Sequence, residues 1–246
     1  MKVMVVENYK ELSQKSAQMF YQSIINKRAI NLGLATGGTP VGFYQELVKF
    51  LKGHDMTECI RTFNLDEYIG LSKGNPNSFY TFMNDHFYKP LNLSDDQTFI
   101  PNGKADDLED ESSQYETLIQ SYGGIDLQLL GVGENGHIGF NEPGSHFEQR
   151  THVVNLKPST VQANARFFNS IKDVPKKAIT MGIGTILDAK EIIVIANGEH
   201  KAEAIYQLVH GEKSRNWPIT ALKGHSNVTV ILDEAAANKV KLRQAT

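Results

Sequence analysis

The chain has 246 residues, 40% of them hydrophobic and 22% charged, and a formal net charge of −3. That length supports a large core in one α/β domain, and the composition excludes a disordered chain. Basic and acidic residues are interleaved along the sequence, so no Lys/Arg block or basic face announces a nucleic-acid partner.

The amino-terminal stretch MKVMVVENYKELSQ turns polar too soon for a signal peptide. No apolar run approaches the ~18 residues of a membrane span, and the expected location is the cytoplasm. Short β-type runs then alternate with helical patterns. Strands are predicted at Asn31–Thr36, Ile60–Leu65, Ile125–Leu130, Glu191–Ala196 and Val228–Leu232. Several are continuously apolar, as strands buried on both faces of a parallel sheet must be. Tyr44, Leu47, Val48 and Leu51 form one helical stripe, and Ala202, Ile205, Leu208 and Val209 another. The alternation predicts a doubly wound, mostly parallel, Rossmann-like sheet flanked by helices, as a single domain over 1–246. The polar stretch from about 152 to 177 reads as a mobile flap. Cys59 is the only cysteine, so no intramolecular disulfide can form; it reads as a buried small hydrophobe, not a nucleophile.

Ligands of such a fold sit outside the carboxyl ends of the strands, so the residues after each strand carry the functional reading. After the first run, Thr36, Gly37, Gly38, Thr39 and Pro40 lead into a helix, with Thr39 placed to cap it and Pro40 to open it. This is either a tight turn or a phosphate cradle at a helix amino terminus. After Glu191–Ala196, Lys201 opens another helix, where a cation opposes the macrodipole unless an anion binds nearby. Arg166 in the flap is a third candidate anion ligand. The second strand ends at Asp66-Glu67, where Asp66 is either a turn cap or a base for a carbon acid.

The run Gly131–Gly144 contains Gly131, Gly133 and Gly136 in G-x-G-x-x-G spacing. Gly139, Pro143 and Gly144 leave no room for the helix a dinucleotide site requires, so the segment is an irregular loop. It carries His137 and Glu142, a pair in which a carboxylate can fix one imidazole tautomer. Local backbone satisfaction of His137 is the plainer alternative. The spacing of His137 and Glu142 does not suit a helical i, i+4 metal pair, and the sole cysteine follows no ligand pattern.

The segments LGLATGGTP, TFNLDEYIGL, NSFYTFM, PNGKADD, GVGENGHIGFNEPG, QRTHVVNL, ANARFF, VPKKAITMGIGTIL and GEHKAEAI together resemble the glucosamine-6-phosphate deaminase family. They span nearly the whole chain in family order. The resemblance implies conversion of glucosamine 6-phosphate and water to fructose 6-phosphate and ammonia, without metal or organic cofactor. It assigns proton transfer between C2 and C1 to Asp66, ring opening to His137, and orientation of His137 to Glu142 together with Asn135. Other members carry Asp at the Asn135 position. The Thr36–Thr39 turn, Arg166 and Lys201 match the family's phosphate ligands. Two further readings are a 6-phosphogluconolactonase-like hydrolase and a non-catalytic sugar-phosphate sensor. The first needs no carbon base, and the second would bring a DNA-binding segment. Monomer and homo-oligomer both remain open.

The longer, regulated family members are hexamers, with an effector site built partly from basic residues after the FNEP loop. His152 and Val154 stand where those enzymes place an arginine and a lysine, and the chain reaches Thr246 without their carboxyl-terminal tail. The resemblance therefore implies hyperbolic kinetics without an acetylated sugar-phosphate activator. Arg150 remains as a cation that could serve a different anion.

Overall fold

The structure, a computed structural model, describes residues 1–53, 56–165 and 168–241. Among the described residues there are ten strands: β1 (Lys2–Val6), β2 (Ile30–Leu34), β3 (Ile60–Asn64), β4 (Asp66–Tyr68), β5 (Thr98–Phe99), β6 (Leu127–Leu130), β7 (His152–Asn155), β8 (Lys177–Thr180), β9 (Glu191–Ala196) and β10 (Val228–Asp233). Seven form one sheet in the order β1-β10-β9-β6-β2-β3-β5, and every pairing in it is parallel. This is the expected doubly wound sheet.

All residues of β2 and β10 are buried, as are five of the six in β9. Alternate side chains feed two cores. Leu32, Leu34, Leu129, Ile193 and Ile231 pack with the Tyr9–Ile25 and Gly38–Leu51 helices; Leu130, Ile192, Val194 and Val230 face Tyr115, Ile119, Ile205 and Leu208 on the other side. Burying each such side chain contributes roughly 1.5–3 kcal/mol. Both predicted helical stripes point inward, with Val209 only partly covered.

The strand ends differ from the sequence prediction by one or two residues, for local reasons. β2 stops at Leu34 because the Ala35 carbonyl accepts from the Tyr44 hydroxyl (2.7 Å). Leu65 leaves β3 but donates its N–H to Leu34 O (2.9 Å) and accepts from Met181 N (2.7 Å). Cys59 is half-buried in a short 3₁₀ turn before β3, its thiol against Met56 O, so it is less enclosed than expected.

A second, three-stranded antiparallel sheet, β4-β8-β7, escaped the sequence reading. Its register places Asp66 opposite Thr180 and Thr180 opposite His152. The stretch expected as a mobile flap is framed by strands, with a helix at Pro158–Asn164 and a 3₁₀ turn at Ile171–Asp173 between them. A small cluster of Tyr68, Phe140 and Ala178, joined by Phe79, Val154, Leu156 and Phe168, anchors it.

From β2 the chain proceeds to β3 and β5, whereas from β6 it proceeds to β9 and β10. The crevice between the carboxyl ends of β2 and β6 is the switch point where ligands bind in such sheets.

Candidate active site

Two helix starts meet at the switch point. Gly37, at φ +116°, turns the chain sharply, and the helix begins at Gly38. Thr39 therefore lies inside the first turn and does not cap it, and Pro40 is the third helical residue, not the first. The freed Thr39 hydroxyl donates to Asn197 Oδ1 (2.6 Å), tying this turn to the one after β9. Tyr9 braces the same turn: its hydroxyl accepts from Gly42 N (2.8 Å) and donates to Thr39 O (2.9 Å). At the partner turn Gly198 adopts φ +87° and donates its N–H to both oxygens of Asp233 (3.0 Å each). Lys201 then stands at the start of the Ala202–His210 helix, as expected. Thr36, Gly37, Gly38, Thr39 and Lys201 thus share one corner, with two sets of helix amino-terminal N–H groups suited to an anion. Arg166 lies outside the described residues.

Asp66 opens β4 where the chain passes from one sheet to the other, and it is 7% exposed. Burial, and then the neighbouring Glu67, push its carboxyl up to about 8. Glu67 points the other way, as strand alternation dictates. Its Oε1 accepts from the backbone N–H of Tyr68 and Phe79, and its Oε2 from that of Tyr80, so it serves the start of the Phe79–Met83 helix. One acid of the pair is thus left for chemistry.

The Gly131–Gly144 segment is an irregular loop, as its glycines required. Gly133 N donates to His137 O (2.9 Å) and Gly136 N to Gly133 O (3.0 Å). The imidazole of His137 lies over Gly133, where a Cβ would stand 2.1 Å from the ring, so only glycine fits. Gly139 brings the loop against Asp66: a Cβ there would lie 3.4 Å from Asp66 Oδ2 and 2.9 Å from Thr180 Oγ1. Asn141, fully buried, locks this arrangement by donating to Ile138 O and Met181 O.

The His137 partners correct the expected order. Glu142 Oε1 is 3.8 Å from Nδ1, beyond a hydrogen bond, and Asn135 stands between them. Asn135 Nδ2 donates to Glu142 Oε2 (2.7 Å), and Asn135 Oδ1 lies 2.7 Å from His137 Nδ1. A carboxylate only accepts, so it fixes the amide orientation. The amide oxygen then only accepts, so Nδ1 carries the hydrogen and Nε2 keeps its lone pair. Glu142 orients His137 through Asn135. Desolvation lowers the His137 pKa; Glu142 and Glu134 oppose this, while Lys201 and Lys157 push the same way. The ring is neutral near pH 7, and the charge of Lys201, at the second helix start, is felt at His137.

Among the described residues no cluster of three or more His, Cys, Asp or Glu is placed to hold a metal ion, and no helix is long and apolar enough to cross a membrane. Three contributors to the site escaped the sequence reading: Thr160 donates to Glu142 Oε1 (2.5 Å), Asn164 to the Tyr68 hydroxyl (2.8 Å), and Thr180 accepts from Phe140 N (3.1 Å). Each acts across elements distant in sequence, and no local pattern marks them.

Residues 6–231 match the family model described as glucosamine-6-phosphate isomerases/6-phosphogluconolactonase. The chain belongs to this family. It is 51% identical over 239 residues to glucosamine-6-phosphate deaminase 1 of Bacillus subtilis, covering 97% of this chain and 99% of that protein. It is 50% identical over 238 residues to the Bacillus velezensis glucosamine-6-phosphate deaminase, covering 96% and 99%. Among solved structures, a monomeric glucosamine-6-phosphate deaminase superposes with a TM-score of 0.94 at 51% identity, covering 97% of this chain and all of that one. The 6-phosphogluconolactonase of Trypanosoma cruzi shares the fold at a TM-score of 0.77 and 20% identity, covering 97% and 96%. Fold alone therefore does not separate the two activities.

Proposed function

We propose that this enzyme converts glucosamine 6-phosphate and water to fructose 6-phosphate and ammonia. The observation that carries the reading is the approach of Asp66, a buried acid that burial makes a stronger base once ionised, to the loop that presents His137. A lactone hydrolase needs no base for a carbon acid. An aldose-to-ketose conversion needs one, together with a proton shuttle for the ring oxygen.

The phosphate sits at the Thr36–Thr39 and Lys201 corner and orients the sugar without reacting; remote binding of this kind lowers the barrier. His137 Nε2 accepts the proton of the anomeric hydroxyl and returns it to the ring oxygen as C1–O5 breaks and the C1 carbonyl forms. In its ionised form Asp66 then takes the C2 proton, the C2–H electron pair forms the C1–C2 double bond of an enolamine, and the carbonyl oxygen takes up a proton from water. Return of the proton from Asp66 to C1 leaves an iminium at C2, which gives a proton back to water to become the imine. Water adds to that imine, and ammonia departs to leave the ketose. The part of the flap around Pro158–Asn164 closes over the sugar.

The test is a coupled assay of purified protein on glucosamine 6-phosphate that measures ammonia and fructose 6-phosphate together, with solvent deuterium entering at C1. Lactone hydrolysis without ammonia release would overturn the reading.

A further inference from the structure

The Pro158–Asn164 helix touches both halves of the site. Thr160 Oγ1 donates to Glu142 Oε1 (2.5 Å), Asn164 Nδ2 donates to the hydroxyl of Tyr68 (2.8 Å), and Lys157 Nζ reaches Pro143 O (3.2 Å). Residues 160 and 164 are one helical turn apart and share a face. That face grips the carboxylate behind His137 and the strand that begins with Asp66.

The consequence lies in the two oxygens of Glu142. With Thr160 on Oε1, Oε2 takes the Asn135 amide, which in turn presents its oxygen to His137 Nδ1. Oε1 is already only 3.8 Å from Nδ1. Without the threonine hydroxyl it is free to swing onto the ring and hold an imidazolium, which has no lone pair with which to accept the anomeric proton. We propose that Thr160 is a positioning residue for His137: it occupies Glu142 Oε1, keeps that carboxylate off the ring, and preserves Nε2 as the base for ring opening. This rests on the ring-opening reading of His137.

Thr160→Val and Thr160→Ser separate the hydroxyl from the shape of the side chain. The probes are glucosamine 6-phosphate and its 5-deoxy analogue, which lacks the hydroxyl needed for pyranose closure. Thr160→Val should slow the cyclic substrate by roughly tenfold or more, a part of the 10²–10⁴ that acid–base catalysis contributes. The 5-deoxy substrate should stay within about threefold, because the acid–base step at the ring oxygen is bypassed. Thr160→Ser should restore the wild-type pattern, and Thr160→Ala replaces the valine variant if that one misfolds. Nitrogen-15 spectra of His137 should show a neutral Nδ1–H ring at pH 7 in wild type and protonation in Thr160→Val. The charged groups acting on that ring are Glu142, Glu134, Lys201 and Lys157. Equal slowing of both substrates, a serine variant as slow as the valine one, or an unchanged imidazole spectrum overturns the proposal. His137→Gln is the control. If it separates the two substrates and Thr160→Val does not, this proposal falls and ring opening stands. If His137→Gln slows both alike, the ring-opening reading falls and takes this one with it.

Discussion

The two sheets hold their parts of the site by different means. In the seven-stranded sheet, β2, β9 and β10 are buried almost end to end, and the turns that follow β2 and β9 are tied to each other by Thr39–Asn197 and to β10 by Gly198–Asp233. In the three-stranded sheet, β7 has three half-buried residues and one exposed, and its helix is joined to the site chiefly by side-chain polar contacts. A rigid corner suits a phosphate, which does not change during the reaction. A polar, lightly packed element suits the face that admits the sugar and responds to it. Asp66 lies at the seam: the residue before it is bonded to β2, and Asp66 itself is paired with β8.

The seam should show the largest effect. Asp66→Asn should lower kcat by about 10³-fold or more while KM changes little, because general-base catalysis contributes roughly 10²–10⁴ and the proposed phosphate corner belongs to the other sheet. Solvent deuterium should then no longer enter the sugar. Turnover within about tenfold of wild type, only ~1.4 kcal/mol in barrier, would place the base elsewhere.

The rigid corner should show the next largest effect, and one of a different kind. Lys201→Ala removes a charge-assisted contact of roughly 1.5–3 kcal/mol. It should lower kcat/KM by about ten- to a hundredfold, mainly through KM, and the dephosphorylated sugar should be nearly indifferent to the change. An equal loss with both sugars would take Lys201 out of phosphate binding.

A smaller effect concerns stability. The Asp66 carboxyl titrates near 8 in the folded chain and near ~3.9 when unfolded. Below the unfolded value both states hold the proton. As pH rises from there to about 8, the folded state keeps a proton the unfolded chain has released, and stability falls steadily. Asn does not titrate. Asp66→Asn should therefore raise the melting temperature, by more at pH 8.5 than at pH 5. An equal or reversed increment would mean the buried carboxylate is not held at a cost.

The same contrast governs what was legible in the sequence. Short, largely apolar runs marked β2, β6, β9 and β10, because strands covered on both faces are mostly apolar, although buried Asn31, Gln128 and Thr229 interrupt them; β3, with Arg61, Thr62 and Asn64, was marked less cleanly. β7, with His152 and Asn155 flanking two valines, carries no such mark, and β4 is only three residues long. In the site, Asp66 and His137 were visible as chemical groups at strand ends. The Glu142–Asn135–His137 order was not, since it depends on a 3.8 Å gap filled by a side chain seven residues away from Glu142. Thr39 was misplaced by two positions because the positive φ of Gly37 starts the helix early.

The smallest expected effect is no change, and it tests whether the lightly packed sheet carries a second anion site. Substrate curves should be hyperbolic and should superimpose with and without N-acetylglucosamine 6-phosphate. The β7 segment offers three positions for such a site. Val154 packs into the cluster around Tyr68, Phe140 and Ala178 and brings no charge. His152 bonds through Nδ1 to Arg150 O (2.8 Å), and burial holds its pKa below the usual value, so it is neutral at pH 7 and above. Arg150 is the one cation there, and it is engaged. Its Nε and Nη2 reach Glu116 Oε2 at 3.0 and 2.9 Å, and its Nη1 reaches Asp188 Oδ2 at 2.6 Å. Glu116 is itself held by Thr151 and Thr185, so withdrawing Arg150 for an effector phosphate would leave a buried carboxylate short of its counter-ion. An effector would have to supply that loss in addition to a coupling energy of ~1–3 kcal/mol. A sigmoidal curve that the acetylated sugar phosphate makes hyperbolic would show that Arg150 does exchange partners, and the contrast between a fixed sheet and an adaptable one would then extend to regulation.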